Sequence, residues 1–167
     1  MTGPPVIPHG GTRPKPPSEL RSPVLRRCGA AAAESSYRRI YETWPEMAGR
    51  YGERGKSLTA EDNFWHLNFL DSATHLGDPA HFDRYADWLL SFLTPRGMGP
   101  HHIAGAFGFL ADAIGSAEIE PGEEDHRRTL VSTLSDTASR LMREAESSDA
   151  ADPADESDGA DGSQLGQ

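Results

Sequence analysis

Between residues 31 and 146 the large apolar side chains recur at three- and four-residue spacing, and no segment alternates convincingly with period two. Such a pattern gives each segment one apolar stripe and leaves a sheet nothing to be built from. The fold class is therefore all-α: one domain of five to six helices, a bundle or a globin-like arrangement, flanked by disordered tails.

Tyr37, Ile40, Tyr41, Trp44, Met47 and Tyr51 mark a first helix. Pro45 must kink or split it, because an interior proline lacks the N–H and crowds the preceding turn, and Gly52 and Gly55 are expected to end it. A second helix is expected from Thr59, whose hydroxyl caps while Asp62 reaches back, to about Leu76 before Gly77. Asp78-Pro79 reads as the cap and first position of a third, with Phe82, Tyr85, Ala86, Trp88, Leu89, Phe92 and Leu93 inward. Pro100 opens a fourth, with Ile103, Ala106, Phe107, Leu110 and Ile114 inward. Pro121, followed by Glu123, Glu124 and Asp125 near a positive helix end, opens a fifth with the stripe Leu130, Val131, Leu134, Ala138, Leu141 and Met142.

Residues 1–30 read as a disordered arm, with prolines at positions 4, 5, 8, 14, 16, 17 and 23, and residues 147–167 as a disordered tail of Ala, Asp, Ser and Gly. The arm carries five bases against Glu19, the stretch 144–167 eight acids and no base, and with −10 on the whole chain the middle keeps −6. An acidic middle repels phosphate, so no nucleic acid is expected at the folded core, and the basic arm reads as a solvated tail.

No run approaches the roughly 18 apolar residues of a membrane span. The densest stretch, Trp88 to Leu93, is interrupted by Ser91. Arg26-Arg27 precede only the weakly apolar Gly29 to Ala33, so no secretory segment is expected. A single cysteine, Cys28, excludes an intramolecular disulfide and a cysteine-based zinc site. The expectation is a cytoplasmic protein without a membrane partner.

Catalytic templates fail in turn: there is no Gly-x-Ser-x-Gly elbow, no Gly-x-x-x-x-Gly-Lys loop and no His-Glu-x-x-His. The run Arg50 to Lys56 lacks the strand a phosphate cradle requires and reads as a solvated turn. No enzyme is expected.

At 100° per residue the second helix sets Trp65, Leu67, Phe69, Leu70, Ala73 and Leu76 on a broad apolar arc, with Asn68, Asp71 and His75 opposite. His66 falls inside the arc. A buried imidazole needs a hydrogen-bond partner, so it serves either as a core histidine, bonded to a backbone carbonyl or a tyrosine of the first helix, or as the polar anchor of a ligand pocket. His81 and His102 border inward faces of the third and fourth helices. A di-iron site has no Glu-x-x-His pair to build on, whereas haem requires only one imidazole. Gly105, Gly108 and Asp112 leave the fourth helix a stripe without bulk, where a second helix or a flat ligand fits closely.

The ordered set Arg50-Tyr51-Gly52-Glu53-Arg54-Gly55, Glu61 to Leu67, Gly77-Asp78-Pro79 and Phe82 to Leu89 resembles helical modules of bacterial signalling proteins. Such modules occur beside cobalamin-binding domains and resemble non-haem globin-like sensors of linear tetrapyrroles or other apolar ligands. The likeness spans about residues 37–115 and implies sensing rather than turnover. No Asp-x-His-x-x-Gly cobalamin segment and no output domain follows, so the module is expected to act alone through a protein partner or homo-oligomer. The resulting expectation is a sensory or regulatory domain holding a planar, tetrapyrrole-like ligand (a linear tetrapyrrole, cobalamin or haem). Its pocket lies between the second, third and fourth helices, with Trp65, Phe69, Tyr85, Trp88 and Phe107 as stacking surface and His66 and His102 as polar contacts. The alternative is a ligand-free protein–protein interaction module whose acidic tail docks a basic partner.

Overall fold

The computed structural model describes residues 19–151. Among them are α1 (Pro23–Thr43), α2 (Glu46–Leu76), α3 (Pro79–Leu93), a 3-10 turn (Thr94–Arg96), α4 (Pro100–Gly115) and α5 (Glu124–Ala151), and no strand. The all-α class is observed, and no helix among the described residues is long and apolar enough to cross a membrane. The expected tails lie outside the described residues for 1–18 and 152–167.

The arm expected over residues 1–30 gives way to helix by Pro23. Ser22 sits in extended backbone, its Oγ accepts the Leu25 N–H at 3.2 Å, and Pro23 fills the first turn, where a missing N–H costs nothing. Both carboxylate oxygens of Asp71 accept N–H groups from this start, Arg21 and Ser22, each at 2.8 Å. His126 Nε2 lies 2.7 Å from Ser22 Oγ, so α2 and α5 together pin the start of α1. Asp71, expected on the solvent side, is accordingly buried, while Leu76, expected inward, is 63% exposed at the end of α2. Cys28 lies half-buried on α1, not in an arm, and burial raises its thiol pKa.

The chain splits at Pro45 as expected, but α2 does not wait for Thr59. It starts at Glu46 and turns a corner at Gly52, whose φ of 61° and ψ of −161° suit glycine alone. Thr59 is inside the helix and donates its hydroxyl to Gly55 O at 2.9 Å, so it caps nothing. Asp78 caps α3 as expected, accepting the Ala80 N–H at 3.1 Å. Pro121 and Gly122 form a turn instead of opening α5: the Glu120 N–H is taken by Glu123 and the Gly122 N–H by Glu124, each at 3.0 Å. At its other end α5 continues past 146 to Ala151.

Helix α4 is the hub, packing most extensively on α5 and then on α1. Phe107 meets Phe82 of α3 at 5.0 Å between centroids, and both belong to one buried cluster with Leu67 and Leu70 of α2, Val24 and Leu25 of α1, and Leu130, Leu134 and Leu141 of α5. Met142 of the expected α5 stripe is exposed, and Thr133 and Thr137 are buried instead. Thr137 donates to Asp83 at 2.7 Å, and Arg140 reaches Asp83 at 3.3 Å and Asp87 at 2.8 Å, which ties α5 to α3. A smaller cluster of Ile40, Met47 and Ala106 lies at the α1–α2 break.

These boundaries are testable by truncation. A fragment of residues 19–151 is expected to melt as the full chain does. Cutting at 31 removes buried Val24 and Leu25, each worth about 1.5–3 kcal/mol, and the α1 cap besides. Thermal unfolding of fragment 31–146 should show a loss of at least about 3 kcal/mol; equal stability of the two fragments would contradict the structure.

Candidate functional site

Thr59, Asn63 and His66 stand at positions i, i+4 and i+7 of α2 and so share one face. Opposite them, the α1–α2 break brings Ile40, Trp44 and Met47, α3 brings Leu89 and Leu93, and α4 with its preceding turn brings Met98, His102, Ile103 and Ala106. Together with Asp62 these side chains line a partly open chamber of about 40 Å³, walled mostly by apolar groups.

The polar groups of the chamber differ in how they are satisfied. His66, 5% exposed, has Nδ1 2.7 Å from Tyr85 Oη and meets Phe107 edge-on at 5.1 Å. Its tyrosine partner comes from α3, not from the first helix. Thr59 Oγ1 is committed to Gly55 O and lies 3.2 Å from Tyr41 Oη. Asn63, 1% exposed, donates Nδ2 to Thr59 O at 2.9 Å, but its Oδ1 has no hydrogen-bond partner. An acceptor left so in the interior costs about 1–3 kcal/mol.

His102 Nδ1 accepts the Gly99 N–H at 3.0 Å, which puts the proton of the neutral ring on Nε2. Burial, and next the adjacent His101, whose ring centroid is 3.9 Å away, hold the His102 pKa below the usual imidazole value. Trp44 covers this corner, 4.9 Å from His102 and 6.1 Å from Phe109 between centroids. It can do so because residue 105 is glycine: a Cβ there would lie 2.4 Å from Trp44 Cη2. The glycine stripe thus receives a flat group only at Gly105, since Gly108 faces open space and Asp112 pairs with Arg39 at 2.8 Å.

The chamber's roof is the short segment Glu46–Tyr51, set between the Pro45 break and the Gly52 corner. It carries buried Met47. Two contacts fasten it to the turn after α3: Tyr51 Oη donates to Arg96 O at 2.8 Å, and the Arg50 guanidinium occupies the space a side chain at Gly97 would fill.

Of the residues expected to form the site, His66 and His102 meet in this chamber. The others do not line it. Phe69 stacks on Tyr85 at 3.9 Å, Tyr85 is followed by Trp88 at 6.1 Å, and Trp65 lies 6.4 Å from Phe69. Phe107 is fully buried against Phe82 and His66. Phe69 and Tyr85 thus cover each other, while Trp65, Phe69 and Trp88 stay partly exposed outside the chamber. A chamber of about 40 Å³ holds about three water-sized bodies, at roughly 10–15 Å³ each. A tetrapyrrole, cobalamin or haem does not fit it. Among the described residues no three His, Cys, Asp or Glu side chains gather to hold a metal ion.

Sequence reasoning read Trp44 and Met47 only as helix-stripe residues and assigned no role to Asn63 or Met98, all four of which line the chamber. Asn63 was within reach, because it precedes His66 by three positions and falls on the same apolar arc. No known protein family matches the chain, and neither does any curated protein or solved structure.

Two measurements test this geometry. Replacing His66 with Phe keeps the volume and removes the bond to Tyr85, so thermal unfolding should report a loss of about 1–3 kcal/mol; an unchanged midpoint would mean that the bond is not formed. For His102 the sign follows from its depressed pKa: the folded state prefers the neutral ring. Its contribution is complete above the unfolded value of about 6.5 and fades as pH falls through the lower folded value. Relative to the His102→Gln variant, the wild-type melting temperature should drop as pH is lowered from about 7 to 5. Parallel curves would contradict the assignment.

Proposed function

We propose that this chain is a non-enzymatic sensory or regulatory domain that takes a compact ligand in the chamber under Glu46–Tyr51 and signals through a protein partner or a second copy. The observation that carries this reading is the roof itself. Glu46–Tyr51 is bounded by a proline break on one side and a positive-φ glycine on the other, and is held down by Tyr51 and Arg50. Such a segment can change position without unfolding the core beneath it, and what fills the space below Met47 and Trp44 sets where it rests. The resemblance to helical sensory modules of signalling proteins supports the same class of function, although the chamber favours a ligand much smaller than a tetrapyrrole. A second reading, a ligand-free interaction module, draws on the surface hollow along α4 and α5 that exposed Met142 borders.

Native mass spectrometry and an absorption spectrum of the full chain as purified separate the two. The sensory reading expects a co-purifying small molecule that is released on denaturation. It also expects faster amide exchange at residues 46–51 once that molecule is removed. A bare chain that no small molecule stabilises, with residues 46–51 as protected as α4, would leave the interaction module.

A further inference from the structure

The ligand's chemistry is written in the wall of the chamber, and the inference rests on the sensory reading above. Asn63 and Trp65 carry the buried side-chain polar atoms without a hydrogen-bond partner among the described residues, and only Asn63 borders the chamber. Its amide orientation is fixed, because Nδ2 donates to Thr59 O at 2.9 Å, so the group left over is the acceptor Oδ1. Neighbouring acceptors are committed: Thr59 Oγ1 lies against Tyr41 Oη and His102 Nδ1 accepts from Gly99. The wall also carries apolar Ile40, Leu89 and Ile103, with Asp62, His66 and His102 as further polar members. An open acceptor beside these apolar groups is the complement of a largely apolar body with a donor.

We infer that the chamber binds a compact apolar molecule carrying one N–H or O–H group, which donates to Asn63 Oδ1. The size of the space confines such a molecule to about a single small ring, and Met47 and Trp44 must shift to admit it.

Pyrrole and furan have nearly the same shape and differ in the N–H. Titrating each into the full chain, with the Asn63 side-chain amide and the Met47 and Met98 methyls followed by NMR, tests the inference directly. Pyrrole is expected to bind at least about tenfold more tightly than furan, the equivalent of one buried hydrogen bond. The Asn63→Leu variant should lose that preference; it removes the Nδ2 bond to Thr59 O together with the unpaired acceptor, so its melting temperature is expected to stay close to that of wild type. The Ala106→Leu variant, which fills the chamber from α4, should abolish the methyl shifts with both probes. Equal binding of pyrrole and furan would overturn the donor assignment and leave a ligand chamber standing. No shift with either probe would overturn the inference in favour of ordered water alone, and the co-purification test would then judge the sensory reading by itself.

Discussion

Pro45 has no N–H to donate, and the hydrogen bond it withholds organises the site. Helix α1 ends with the Trp44 N–H on Ile40 O at 2.9 Å, and the chain starts again at Glu46 on a new axis. An uninterrupted helix would carry Trp44 and Met47 past α4 on one continuous surface. The break instead folds Trp44 onto Gly105 and turns Met47 toward Ile40 and Ala106, away from the main core. The apolar groups of the chain thereby divide into two clusters, and the chamber lies at the smaller one.

The larger cluster supplies the stability that tolerates this. Phe82, Phe107, Leu110, Ile114, Leu130 and Leu134 are fully buried at the meeting of α3, α4 and α5. Burial of a side chain of this kind is worth about 1.5–3 kcal/mol, so one unpaired acceptor at Asn63 is a small charge against it. Local rules are broken at Asn63, at Gly52 and at Gly105, within or beside the same chamber. Such departures concentrate where a fold serves something other than its own stability.

Helix class and the starts of α3 and α4 were legible because proline, glycine and an apolar period of three to four act locally. The split at Pro45, the Asp78 cap and the Pro100 start follow from single residues and their immediate neighbours. What was hidden depended on partners distant in sequence. Ser22-Pro23 is a helix start only when Asp71 and His126 close on it, so composition alone assigned it to a proline-rich arm. Asp71 looked solvent-facing because its partners are backbone N–H groups, which no hydropathy pattern registers. Gly52 looked like a terminator, whereas the helix resumes beyond it at an angle. His66 was found on its apolar arc, yet its partner Tyr85 had been assigned to a ligand. Aromatic rings that stack on one another and rings that stack on a ligand leave the same trace in a sequence.

The central claim is that the space beneath Trp44 and Met47 is a receiving site and not a packing flaw. A high-resolution crystal structure of the full chain as purified, refined with attention to that space, tests it most directly. Density is expected there for a compact body larger than water, with one atom at about 2.7–3.2 Å from Asn63 Oδ1 and the roof still fastened through Tyr51. An Asn63 amide oxygen paired with a protein donor, with Trp44 and Met98 closed over an absent chamber, would contradict it.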